Sequence, residues 1–193
     1  MDVHKGLPVR SFPTSKSWEE WLEKYYGTST GLWLKIAKKG AETATVTYAE
    51  ALEVALCFGW IDSQKAALDE THWLQKFTPR GPRSPWSKVN REKALALIES
   101  GRMRPIGLAF IEDAREDGRW DAAYDSQSKA SVPEDFQREL DRNPAAAEFF
   151  ATLESYNRYA ILYRIQEAKK PETRARRIEK FIGMLERGEK VHP

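Results

Sequence analysis

The chain has 193 residues, of which 41% are apolar and 31% are charged. This balance excludes an intrinsically disordered chain and fits one folded domain with a smaller subdomain attached. The amino-terminal segment has no uninterrupted apolar run of the kind found in signal peptides and membrane spans, so we expect a cytoplasmic protein that does not insert into membranes. The one cysteine, Cys57, excludes an internal disulfide bond.

Charge is distributed unevenly, although the formal net charge is only +2. Residues 76–104 carry eight basic side chains against two acidic ones, whereas residues 110–154 carry twelve acidic side chains against five basic ones. Residues 164–190 are basic again, with nine basic side chains against five acidic ones. Charge is therefore polarised along the chain.

Two short helices are predicted near the amino terminus. Ser17 is expected to cap the first helix, which reaches Tyr26, and Thr47 is expected to cap the second helix, which Gly59 ends. Acidic residues after Ser17 agree with a helix amino terminus there.

Strands are predicted over residues 32–36, 60–68 and 71–78, where apolar and polar residues alternate or β-formers cluster. Alternation in the first strand places Leu32, Leu34 and Ile36 on one face and Trp33 and Lys35 on the other, as in a half-buried strand. The last two strands are expected to form a hairpin. These patterns predict a small antiparallel sheet of about three strands packed with helices.

Beyond the strands the chain is predicted to be helical. Prolines at positions 79, 82 and 85 predict an ordered loop over residues 78–86, after which Ser87 is expected to cap a helix. The remaining predictions are helices over residues 88–100, 106–117, 133–141, 144–169 with a break near 155–157, and 172–187, and a linker over residues 127–133. The fold class is therefore α+β, with an N-terminal α+β domain at residues 1–126 and an all-helical C-terminal subdomain at residues 127–193.

The proline-rich loop and the helix that follows it form the candidate ligand-binding region. A helix amino terminus offers unpaired backbone N–H groups, and guanidinium groups add bidentate donors for phosphate or carboxylate. The candidate residues are two tryptophans, which would form apolar walls, and five charged or polar residues. They are Trp60, Asp62, Arg80, Arg83, Trp86, Ser87 and Asn90. A structural interpretation also fits, in which Asp62 pairs with an arginine, Trp86 fills the core and Ser87 only caps its helix.

Metal and cofactor chemistry are not indicated. The three histidines and Cys57 show no metal-ligand spacing, and the chain has no phosphate-binding or dinucleotide-binding glycine motif. We therefore expect no metal and no cofactor. Cys57 lies in a helix rich in leucine, which favours a buried structural thiol over a catalytic nucleophile.

Short motifs spread over the chain carry a family resemblance. They include ALCFGWID at residues 55–62 and FTPR at residues 77–80, with further matches at residues 31–36, 48, 50–52, 84–87, 101–103, 133–134 and 171–178. Together they resemble the bacterial YdeI/OmpD-associated family, also labelled bacteriocin-protection. The resemblance implies a link to resistance against bacteriocins and cationic antimicrobial peptides and to an outer-membrane porin, with no agreed reaction and no known catalytic residues.

Three classes of function remain open. The first, which we favour, is a non-enzymatic binding or stress-protection protein that binds a small anionic molecule or, in a variant, captures a cationic peptide on residues 110–154. The second is an enzyme of unknown reaction on a small anionic substrate, with Asp62 as general acid or base beside Arg80 and Asn90. The third, nucleic-acid binding, would use the terminal helix and Lys88, Arg91, Arg102 and Arg104, and the acidic segment opposes it.

Overall fold

A computed structural model describes residues 2–127 and 129–193 of the chain, which divide into two units. The first unit contains the residues up to Trp86 and Asn90–Ala122, and the second contains Ser87–Val89 and Ala123–Pro193. The expected linker at residues 127–133 includes Ser128, which lies outside the described residues.

The first unit is built on a five-stranded sheet in the order β1-β2-β3-β5-β4. The strands are β1 Val3–His4, β2 Leu7–Arg10, β3 Leu32–Ala37, β4 Trp60–Ala67 and β5 His72–Pro79. β2 pairs with β3 in parallel, and the other neighbours are antiparallel. The α+β class is confirmed and so is the β4–β5 hairpin, but the prediction of about three antiparallel strands is wrong.

The two additional strands are too short to leave a periodic pattern in the sequence. β1 has two residues and β2 has four, one of which is Pro8. Lys5 and Gly6 join them with φ angles of 45° and 80°, as in a two-residue hairpin turn of the primed type. The His4 ring packs edge-on against Trp33 with ring centres 4.7 Å apart, and Trp33 is 1% exposed. Both faces of β3 are therefore covered at this point, and the expectation of a half-buried strand is wrong there.

The helices of this part of the chain are α1 Ser15–Tyr25, α2 Tyr48–Cys57, α3 Lys88–Glu99 and α4 Pro105–Glu116. Thr47 caps α2 as predicted, and Glu50 returns the bond by accepting from the Thr47 backbone N–H at 2.9 Å. The predicted cap of α1 is wrong: Thr14 is the cap, and Ser17 is its capping-box partner inside the first turn. Both residues favour caps, and the sequence alone did not distinguish the two positions.

The core of the first unit lies between α1, α2 and one face of the sheet. Trp18 of α1 is fully buried, its ring centre lies 5.8 Å from that of Phe77, and its Nε1 donates to the Ala51 carbonyl at 3.1 Å. Trp60 packs edge-on against Trp18 at 6.2 Å. This packing fixes the ends of β4 and β5, where the candidate residues begin.

The second unit is helical, as predicted. Its complete helices are α5 Glu134–Arg142, α6 Pro144–Thr152, α7 Ser155–Gln166 and α8 Pro171–Glu186. The break in the long predicted helix falls at residues 153–154, so α7 begins at Ser155. Phe136, Phe150 and Phe181 are buried in one apolar cluster that these helices share.

Candidate functional site

Arg80 and Trp86 form the centre of the candidate site. The Arg80 backbone N–H donates to the Gly59 carbonyl at 2.9 Å, which fixes the point where the chain leaves β5. Its guanidinium carbon lies 3.7 Å from the centre of the Trp86 ring, and its Nη1 donates to the Pro85 carbonyl at 3.2 Å. Arg80 is 5% exposed, so the pair is a cation–π contact withdrawn from water.

Trp86 contributes a second polar group to this centre. Its ring packs edge-on against Trp120 with centres 4.9 Å apart, and the residue is 2% exposed. The indole Nε1 is buried and donates to no acceptor among the described residues. Because buried N–H groups in folded proteins almost always have an acceptor, this atom requires a specific explanation.

The loop at residues 81–85 is held by its own hydrogen bonds. The Gly81 N–H donates to the Ser84 hydroxyl at 3.0 Å, and the Ser84 N–H donates to the Gly81 carbonyl at 3.0 Å. Arg119 also donates from Nη1 to the Ser84 carbonyl at 3.1 Å. Arg83 is exposed on this loop and forms no hydrogen bond or ion pair within the part of the chain that the structure describes.

Trp60 and Asp62 have other partners. Trp60 is 1% exposed, and its Nε1 donates to the Tyr26 carbonyl at 3.1 Å. Asp62 is half-buried, and its Oδ2 accepts a hydrogen bond of 2.7 Å from the Tyr48 hydroxyl. Burial, followed by this hydrogen bond, raises the pKa of Tyr48 far above its usual range, so Tyr48 remains a donor.

Ser87 and Asn90 lie on either side of the division between the units. Ser87 belongs to the second unit, where it forms an isolated parallel bridge with Tyr124. Asn90 is a half-buried residue of α3 in the first unit. Of the seven predicted residues, the structure thus brings Arg80 and Trp86 into direct contact, and Arg83 lies on the loop that joins them.

Sequence reasoning missed Tyr48 and Trp120, which complete these contacts. Tyr48 reaches Asp62 from a different element, and Trp120 meets Trp86 from beyond α4. No spacing rule links residues that the tertiary fold brings together. For Tyr48 the available signal was its place among the motif residues that carry the family resemblance, which do not include Trp120.

Cys57 has the environment of a structural thiol. The residue is 4% exposed, and burial raises the pKa of its thiol from 9.0 to about 11, against a smaller opposing effect of the Arg102 charge. The thiol is therefore protonated at neutral pH, which disfavours nucleophilic chemistry there.

Most of the basic residues named for nucleic-acid binding have partners inside the protein. Lys88 pairs with a carboxylate at 2.8 Å, and Arg102 and Arg104 each do so at 3.0 Å. Arg91 donates to the Trp120 carbonyl at 3.1 Å. These contacts reduce the charge that the segment offers to a phosphate backbone.

The second unit contains a groove of about 450 Å³ between α5 and α8. Ile178 and Ile182 line it together with Arg174 and Asp135, which form a two-pronged ion pair at 2.5 and 2.9 Å. This pairing lowers the pKa of Asp135 and raises that of Arg174. None of the seven predicted site residues lines this groove.

Comparison with known families covers most of the chain. Residues 10–110 match a family described as a domain of unknown function, DUF8412, and residues 129–188 match the family described as bacteriocin-protection, YdeI or OmpD-associated. The chain belongs to the DUF8412 family and carries a YdeI/OmpD-associated domain. None of the curated proteins and none of the solved structures compared with it matches the chain.

The recognised resemblance to the YdeI/OmpD-associated family is confirmed, and the match is confined to the helical residues 129–188. All seven candidate residues lie instead in the DUF8412 match. Among the described residues, no helix is long and apolar enough to cross a bilayer. Nor do the described residues include a group of three or more His, Cys, Asp or Glu side chains placed to hold a metal ion.

Proposed function

We propose that this DUF8412 protein is a non-enzymatic binding protein that takes up a small oxyanion at the Arg80–Trp86 centre. The observation that carries the proposal is the buried Trp86 indole N–H, which has no acceptor among the described residues and belongs to a ring covered by a guanidinium group. An anion with oxygen acceptors satisfies such a donor and is attracted by the adjacent positive charge.

The surrounding chain supplies further positive charge. Arg83 is exposed and makes no hydrogen bond or ion pair with any described residue, so its guanidinium is available to a ligand. Its loop is tied at Gly81 and Ser84, which limits the entropy lost when the loop binds. The ligand class is phosphate, sulfate or a small carboxylate, because these ions match indole and guanidinium donors.

The contacts favour binding over catalysis. Asp62, the candidate general base, accepts a 2.7 Å hydrogen bond from Tyr48, while Arg80 lies over Trp86. The Tyr48 hydroxyl therefore already occupies one carboxylate oxygen of the proposed base. The raised pKa of the Cys57 thiol, about 11, likewise disfavours a cysteine nucleophile.

We extend the proposal to a stress-protection role, since the helical domain matches a family described as bacteriocin-protection. Bacterial cells that make the protein should then survive bacteriocin better than cells that make the Trp86→Phe variant. Equal survival of the two kinds of cells at equal protein levels would show that protection does not depend on the anion site.

Calorimetric titration with phosphate, sulfate and acetate tests the binding site. Arg83→Ala and Trp86→Phe should each weaken the tightest anion by roughly tenfold, the effect of losing one hydrogen bond. Lys39→Ala, which removes the same charge from another exposed loop, is the matched control and should leave the affinity unchanged. Unaltered affinity in both site variants would refute the proposed site.

A further inference from the structure

A second polar cluster lies on the helix-facing side of the same sheet. The Lys65 corner consists of Tyr48 of α2, Asp62 and Lys65 of β4, and Trp73 and Gln75 of β5. In the β4–β5 register Lys65 lies opposite Gln75 and Asp62 lies opposite Phe77, so these side chains share one face. The Tyr48 and Trp73 rings are neighbours, with centres 6.0 Å apart.

The ammonium group of Lys65 lies over both rings of the corner. Its Nζ is 5.4 Å from the centre of the Tyr48 ring and 5.2 Å from the centre of the Trp73 ring. Both distances fall within the range of cation–π attraction. The side chain is exposed and has no ion pair among the described residues, so the two rings hold the charge without a carboxylate partner.

Gln75 adds to the corner a hydrogen-bond acceptor that receives no hydrogen bond from the described residues. The residue is completely buried, and its Nε2 donates to the Gln64 carbonyl at 3.1 Å and to the Lys76 carbonyl at 3.3 Å. The bond to Gln64 holds the amide beside Lys65, at the irregularity between Asp62 and Lys65 in β4. Its Oε1 is buried and accepts no hydrogen bond from any described residue. A buried acceptor in this state requires a donor.

We propose that the Lys65 corner is a binding site for an organic ammonium ion, which competes with the Lys65 ammonium for the two rings. The two aromatic faces and the Asp62 carboxylate attract positive charge, and the Gln75 carbonyl accepts a hydrogen bond from an N–H or hydroxyl group of the ligand, such as the hydroxyl of choline. The Tyr48 hydroxyl holds Asp62 in place at 2.7 Å, so the carboxylate is oriented before a ligand arrives. Lys65 is the internal occupant, and its exposure lets it leave. This site is independent of the proposed anion site.

Choline and its neutral isostere 3,3-dimethylbutan-1-ol are the probes, titrated by calorimetry into the wild-type protein and the Lys65→Ala variant. Removing the internal competitor should tighten choline binding by roughly tenfold, because the site is then always available. Lys76→Ala is the matched control, since Lys76 neighbours Gln75 on β5 but alternation places it on the opposite face of the sheet. The Lys76→Ala variant should bind choline with the same affinity as the wild type.

A ring substitution tests which groups recognise the cation. In the Lys65→Ala background, Trp73→Leu should weaken choline roughly tenfold, while Trp73→Phe, which keeps an aromatic face, should stay within about threefold. Circular dichroism verifies the fold of each variant, and Trp73→Phe keeps the comparison valid if Trp73→Leu unfolds. Equal affinity for choline and its neutral isostere, or no choline binding by Lys65→Ala, would overturn the proposal.

Discussion

Arg80 is a charged side chain that the fold has removed almost completely from water. Such a group requires compensation, and the Trp86 ring face and the Pro85 carbonyl provide it at 3.7 and 3.2 Å. Both partners belong to the far end of the proline-rich loop. Arg80 therefore orders the loop as well as contributing charge to the candidate site.

Arg80→Lys should lower the free energy of unfolding by about 2 to 3 kcal/mol, because an ammonium group lacks the planar face that stacks on the indole. Urea denaturation measures the change. Arg83→Lys, on the exposed part of the same loop, should remain within about 0.5 kcal/mol of the wild type. A stability loss that is equal in the two variants would contradict the structural role of Arg80.

Cys57 should react slowly with iodoacetamide in the native protein near neutral pH and rapidly once the protein is unfolded, since only the thiolate reacts. Mass spectrometry measures the labelled fraction. Because the pKa of the thiol rises from 9.0 to about 11 on folding, its stabilising contribution is complete below pH 9.0 and declines as the pH approaches 11. Native and unfolded labelling at the same rate would show that the thiol is accessible.

Individual residues were predictable where local rules act and unpredictable where the tertiary fold decides. Thr47 follows from the capping rule, because its partner Glu50 is three residues away. The Tyr48–Asp62 and Trp86–Trp120 contacts join different elements, and no local pattern encodes them. The structural interpretation of the candidate region paired Asp62 with an arginine, whereas the tyrosine of α2 is its partner.

At the scale of elements, α2 and α4 approach so closely that one residue has no room for a side chain. A Cβ atom on Gly107 of α4 would lie 2.5 Å from the Cys57 carbonyl oxygen and 2.9 Å from that of Leu56. Backbone oxygens at these distances cannot rotate away as a flexible side chain would. The glycine thus sets the distance between the two helices.

Gly107→Ala should therefore destabilise the protein by roughly 1 to 3 kcal/mol, even though alanine is the better helix former. Gly183→Ala in α8 is the matched control, because its Cβ would meet only the Arg187 side chain, at 3.4 Å. That variant should be neutral or more stable by up to about 1 kcal/mol. Thermal unfolding compares the two, and a neutral Gly107→Ala would show that the helices separate easily.

Element prediction succeeded where length and breakers gave a clear pattern. The β4–β5 hairpin and the helices of the second unit follow from alternation, apolar periodicity and prolines. β1 and β2 were not predicted because strands of two and four residues are too short to show a period. The pairing of β2 with β3 is parallel, so it leaves no hairpin signal in the sequence. The order of strands in the sheet is a tertiary property and could not be derived.

Across the whole molecule, the uneven charge distribution is partly neutralised by ion pairs between distant parts of the chain. Lys88 and Arg104 pair with Asp125 and Glu19, which are far from them in sequence. Counting charge along the sequence therefore overstated the positive field of residues 76–104. The Arg83 guanidinium makes no ion pair with any described residue, so its positive charge is available to the proposed anion site.

The most direct test of the anion site is the indole N–H resonance of Trp86 in a nitrogen-15 spectrum, assigned by its loss in Trp86→Phe. Titration with phosphate should move this resonance downfield to saturation, because the buried N–H gains a charged acceptor. The same titration of Arg83→Ala should require roughly tenfold more phosphate. A Trp86 resonance that stays fixed while phosphate binds elsewhere, or that never moves, would contradict the account.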